Sequence, residues 1–196
     1  MNEDILGYII IALVIFISYK IYIDSDLFQL KCIVSTVDGD KYCVRERKNV
    51  QQASDLLAKI TDRMKKVVEY VNQKHPEKEN VKRLVKRFNP RKIVETLPTS
   101  QYTAYSENKG QKIAFCLNKE KENNNNLIDE NTLMFVALHE MAHVASKSIG
   151  HNTEFWDNFR FLIEQADEAG LYKPVDYSAA NEEYCGMTIM SSPYYS

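Results

Sequence analysis

The apolar positions of this chain fall into three patterns: one unbroken run, several stripes at helical spacing, and short runs bounded by turn residues. The unbroken run is Ile5 to Ile23, in which Lys20 is the only charge. As a helix it would rise about 28 Å, close to the hydrocarbon thickness of a bilayer. From Gln51 to Gln73 the residues Leu56, Leu57, Ile60, Met64, Val67, Val68 and Val71 form one helical stripe, which His75-Pro76 ends. A shorter helix is predicted over Glu77 to Phe88, followed by connecting chain through Pro98. LKCIVSTVDGDKYCVRER reads as a β-hairpin about Asp38-Gly39. QYTAYS and GQKIAFCLN read as two strands joined across Glu107-Asn108-Lys109-Gly110, with Ile113, Phe115 and Leu117 on one face.

Glu122 and Asn123 to Asn126 form a polar, solvated loop. A long helix then begins near Asp129, whose charge suits the positive end of a helix dipole. It runs through LMFVAL, apolar on every side and therefore buried, into HEMAHVASKSI, with Gly150 as its expected stop and Lys147 in its last turn. Asn152 or Thr153 can cap the next helix, EFWDNFRFLIEQADEA, which ends at Gly170. The pattern predicts an α+β chain in two parts: residues 1–25 as a membrane anchor and 26–196 as one domain with one core.

A cleaved signal peptide and a buried core helix compete with the anchor. The acidic Met1-Asn2-Glu3-Asp4 and the lack of a small-x-small site argue against the signal peptide. No Lys or Arg precedes the span, whereas Lys20, Lys31, Lys41, Arg45, Arg47 and Lys48 follow it, which predicts a cytoplasmic domain. Cys32, Cys43, Cys116 and Cys185 form no CxxC pair and fit a reducing compartment as free thiols. In the expected hairpin Cys43 faces Val34, leaving Cys32 out of comfortable disulfide reach.

Chemistry concentrates in one place. Three of the chain's 4 histidines lie between positions 139 and 151. On the buried helix His139 and His143 are four residues apart, so both rings leave one face about 6 Å apart along the axis. That presets two ligands of a tetrahedral zinc site, and Glu140 beside the first is placed to take a proton from a zinc-bound water, as in the HExxH arrangement. A catalytic zinc needs a third protein ligand and an open position. His151 is the candidate, because Gly150 can turn the chain back toward the metal. Glu154 is the alternative ligand, or otherwise a supporting or surface carboxylate.

HEMAH followed by GHNTEFW resembles the zincin metallopeptidases, and among them the compact SprT-like and WLM-type group, over roughly Leu127 to Phe161. The resemblance implies an active-site helix packed on a small, mostly antiparallel sheet. It further implies zinc on His139, His143 and His151, Glu140 as general base, and a polypeptide substrate laid along an edge strand at Lys112 to Leu117, where Ile113 and Phe115 would touch it. The spacing departs from the metzincin pattern HExxHxxGxxH and from the distant glutamate ligand of thermolysin-like enzymes. The group is associated with DNA–protein crosslink proteolysis, but an anchor through residues 5–23 and the absence of a basic tail argue against nucleic acid as a partner.

In YCGMTI, Tyr184 could donate to an oxyanion, but a tight turn at Gly186 and core packing by Met187 are the simpler expectations. Cys185 as a metal-blocking switch is a minor alternative. His75 is expected on the surface, and Lys82, Arg83, Lys86 and Arg87 as a solvated basic face. Two functions remain open: a membrane-anchored zinc endopeptidase acting on protein near the bilayer, and a structural membrane or virion protein with little activity. The intact Glu140 favours the enzyme. Nothing in the sequence sets an oligomeric state.

Overall fold

The computed structural model describes residues 3–25, 29–121 and 126–195, so most of the expected polar loop, residues 122–125, lies outside the described residues. Helix α1 (Glu3–Asp24) is long and apolar enough to cross a membrane, and none of its span is buried inside the protein.

Strands β1 (Leu30–Val34) and β2 (Lys41–Arg45) form the expected hairpin, but its register differs. The loop takes four residues rather than two, closing with Ser35 N–H on Asp40 O at 2.9 Å. Asp38 is occupied within it, accepting from Asp40 N–H and from the Tyr42 hydroxyl. Pairing therefore shifts by two residues, which keeps every side chain on its own face and sets Cys32 directly opposite Cys43. The two are joined in a disulfide, as are Cys116 and Cys185. The expected free thiols are thus corrected.

Helix α2 (Val50–Lys74) buries Leu56, Leu57, Ile60, Met64, Val67 and Val71 of the stripe read from sequence, and Val68 packs partly buried beside them. After α3 (Glu79–Arg87) and a 3-10 turn (Pro90–Lys92) comes β3 (Ile93–Glu95), in the stretch read as connecting chain. β4 (Ala104–Glu107) and β5 (Lys112–Phe115) complete a three-stranded sheet in the order β3-β5-β4. β5 runs parallel to β3 and antiparallel to β4. Lys112 to Phe115 is thus the central strand, and Ile113 and Phe115 are fully buried. The edge strands of this sheet are β3 and β4, so the expectation that Lys112 to Leu117 is an edge strand along which Ile113 and Phe115 touch substrate is overturned.

Helix α4 (Glu130–Ala145) is capped by Asp129, which accepts from Asn131 and Thr132 N–H, and it is buried along nearly its whole length between α2, α3, α5 and the sheet. It stops at Ala145, well before Gly150. Ser146 leaves the helix in extended conformation with its hydroxyl returned to Ala142 O at 2.7 Å. The last carbonyls are taken by arginines of α3: Arg83 donates to Ala145 O at 2.7 Å, and Arg87 to Val144 O and Ser146 O. The basic face read as solvated is therefore half consumed in capping this helix.

Helix α5 (Thr153–Glu168) is capped by Asn152 and followed by Gly170 at positive φ. His75, expected at the surface, is partly buried against Gln165 of this helix at 3.0 Å. Strands β6 (Glu182–Tyr184) and β7 (Met187–Ile189) form a last hairpin whose two turn residues, Cys185 and Gly186, both have positive φ, the twist a two-residue hairpin favours. Arg45, Arg47 and Glu95 form a buried ion cluster between β2 and β3, extended by Arg45 to Thr96 O, Leu97 O and Lys121 O.

Candidate metal centre

The helical spacing that places His139 and His143 on one face of α4 brings their rings to a centroid separation of 5.0 Å. His151 comes from the loop between α4 and α5. Its Nε2 lies 3.1 Å from the Nε2 of His143 and 3.1 Å from that of His139. Ligands about 2.05 Å from a tetrahedral metal stand about 3.3 Å apart, so the three nitrogens converge as a metal ion would require. This triad is the cluster of potential ligands among the described residues.

The loop is fixed by Glu154. Its carboxylate accepts from Lys147 N–H, Ser148 N–H and the Ser148 hydroxyl, and pairs with Arg83. These bonds hold it well below the ordinary carboxylate range, at about 2. Glu154 is thus the brace of the loop that carries His151 and stands outside the triad. Beneath all three imidazoles lies the fully buried Phe155 ring, with centroids at 4.8, 4.3 and 4.6 Å from His139, His143 and His151. Trp156 N–H donates to His151 O at 3.1 Å.

Burial, with the neighbouring imidazoles adding to it, lowers His139 to about 3 and His143 to about 4, keeping both neutral and able to bind a cation. Glu140 is almost fully buried, and burial raises it to about 8 against an opposing hydrogen bond from Ser106. A neighbouring positive charge is what such a carboxyl needs to ionise at neutral pH, and a cation on the triad provides one. The donor set and the buried carboxyl therefore both fit a bound metal ion.

His139, Glu140 and His151 open onto a cleft of about 450 Å³, flanked by Thr103 and Ala104 at the start of edge strand β4 and by the β6–β7 hairpin. Tyr184 lines it, but its hydroxyl donates to Thr103 O at 3.1 Å. With its single proton engaged there, it acts as a strut between hairpin and edge strand rather than as the oxyanion donor considered from sequence. Met187, expected in the core, is 48% exposed on the cleft rim. Cys185, bonded to Cys116, is not free to reach the metal site.

No model of a known protein family matches the chain. An uncharacterized protein of Acanthamoeba polyphaga mimivirus, R325, is 31% identical over 184 residues, covering 92% of this chain and 90% of the viral protein. Uncharacterized proteins of Invertebrate iridescent virus 6 and virus 3 are 39% and 42% identical over 69 and 59 residues. These matches cover 35% and 30% of this chain, and 38% and 36% of the viral proteins. Among solved structures, Wss1 from Saccharomyces cerevisiae is similar at 20% identity and a TM-score of 0.46, covering 63% of this chain and 86% of that one.

Proposed function

This chain belongs to the family of the mimivirus protein R325, and from its site we propose that it is a membrane-anchored, zinc-dependent peptidase. Residues 1–25 would form the anchor and 26–196 the peptidase domain. The observation that carries this reading is the convergence of His139, His143 and His151 beside the buried Glu140, in a cleft bounded by an edge strand. Zinc on the three imidazoles would supply Lewis acidity and an acidified water. Glu140 accepts the proton of the attacking water and delivers it to the leaving amine. The outer edge of β4 offers backbone groups to an extended substrate running alongside it, and the buried walls around Glu140 keep bulk water from the proton it holds.

Full-length protein in detergent tests this directly. Elemental analysis should find one zinc per chain, and peptide-library cleavage by Glu140→Gln should fall at least ~100-fold with zinc content unchanged. Equal cleavage by both proteins removes the mechanism. Zinc with cleavage by neither supports the structural membrane role.

The substrate would be a polypeptide close to the bilayer. Nucleic acid is a poor partner, since Arg83 and Arg87 are engaged at the end of α4. The basic flank of the span argues for a cytoplasmic domain, while two disulfides argue for a setting where thiols stay oxidised. We favour the latter, because the covalent pairs belong to the folded domain itself. Alkylation of intact membranes followed by mass measurement decides it: four modified thiols would restore the cytoplasmic placement.

A further inference from the structure

Proton transfer and metal binding use only one side of the cleft. The other side is built from Val136 and Phe159 on the helices, Trp156 at the start of α5, and Met187, Ile189 and Met190 on and just after β7. Besides His139, His151 and Glu140, its polar side chains are the neutral Thr103, Tyr184, Thr188 and Ser191, and no Lys, Arg or Asp lines it among the described residues. Trp156, Met187 and Met190 are 44%, 48% and 64% exposed, an apolar rim left open to solvent around a reactive centre. Such a rim marks a recognition surface, and two methionines let it adjust to different apolar shapes.

We propose that this wall is a specificity pocket for a bulky apolar side chain, aromatic or long aliphatic, next to the bond that is cut. The inference rests on the peptidase reading and names its substrate class: extended polypeptide segments carrying such a residue. Three features select this occupant. The pocket is continuous with the triad, it borders Thr103 and Ala104 at the edge strand where an extended chain would lie, and it offers no charge to pair with a polar side chain. The β6–β7 hairpin, held by Cys116–Cys185 and by Tyr184 on Thr103 O, is then the element that sets preference.

Trp156 is the only tryptophan in the chain, so its fluorescence reports the pocket without requiring turnover. Full-length Glu140→Gln in detergent is titrated with extended peptides that differ only at one central residue: Phe, Leu, Ser or Asp. Phe and Leu peptides should shift Trp156 emission to the blue and bind at least ~10-fold more tightly than Ser or Asp peptides. Met190→Arg, at an exposed position outside the core, should reverse the order in favour of Asp. In the wild type, library cleavage should fall beside the same apolar residues.

Equal binding of all four peptides, or an unchanged order in Met190→Arg, overturns the pocket even if cleavage is seen. A shift produced by detergent or lipid alone would assign the rim to acyl chains. A peptide-free shift that grows with protein concentration would assign it to a second copy of the chain. Selective binding without any hydrolysis would leave the pocket standing and refute the peptidase reading.

Discussion

The Cys116–Cys185 disulfide should be the larger covalent contribution to stability and the one on which the cleft depends. It joins residues 69 positions apart, from the end of β5 to the turn of the β6–β7 hairpin. Closing a loop of that length in the unfolded chain removes entropy worth about 4 kcal/mol, against about 3 kcal/mol for the 11-residue separation of Cys32–Cys43. Since a domain of this size is stable by only about 5–15 kcal/mol, Cys116→Ala with Cys185→Ala should be conspicuous. Urea unfolding of the full-length protein, followed by circular dichroism, should show the midpoint falling by roughly 2 M for a slope of ~2 kcal/mol per M. The Cys32→Ala, Cys43→Ala pair should fall less. The His triad is held by α4 and the Glu154 brace, so metal content should survive while the hairpin side of the cleft loosens and peptide binding weakens. Four titratable thiols in oxidised wild-type protein, or a midpoint unmoved by the double substitution, would refute this reasoning.

Glu154→Ala should leave the fold intact but release the loop carrying His151, weakening metal affinity ~10–100-fold in a chelator competition; unchanged affinity would show that the brace is dispensable. In metal-free protein the depressed His139 and His143 bind fewer protons than they do unfolded. Their contribution is therefore intact above about pH 6.5 and is lost as pH falls toward about 4 and then 3, giving a thermal midpoint that declines over that window. A flat profile there would contradict the burial of the two rings. Glu95→Gln leaves Arg45 and Arg47 without their buried counter-ion and should cost about 3–5 kcal/mol, read as a lowered midpoint in urea; a loss under 1 kcal/mol would mean that solvent reaches the cluster.

The parts of the site legible in the sequence were those fixed by local periodicity. A four-residue interval on a helix determines which side chains share a face, so His139, Glu140 and His143 follow from the helix alone. The stripe of α2 was readable for the same reason, and the starts of α4 near Asp129 and of α5 at Asn152 or Thr153 were marked by the polar residues themselves. What failed was non-local. A three-residue strand such as β3 has no period long enough to detect, and only its pairing with β5 shows that Lys112 to Phe115 runs through the middle of the sheet. The loop length at Asp38 decided the pairing of Cys32, and no count of residues between cysteines could reveal it. Arg83 and Arg87 looked like a solvated face because their acceptors, the carbonyls of Val144, Ala145 and Ser146, lie more than fifty positions away.

That same division explains how the centre is organised. Two of the three imidazoles ride on a helix whose C-terminal end is tied by Arg83 and Arg87, and the third rides on a loop whose geometry is set by Glu154. Arg83 bonds both to Ala145 O and to Glu154, so one guanidinium fixes the helix end relative to the loop, and with it His143 relative to His151. Phe155 then packs against all three rings. Packing and one shared arginine thus both act on the convergence of the three nitrogens. Side chains held by their own packing in this way would give up less conformational freedom on taking up a cation than side chains on an unbraced loop.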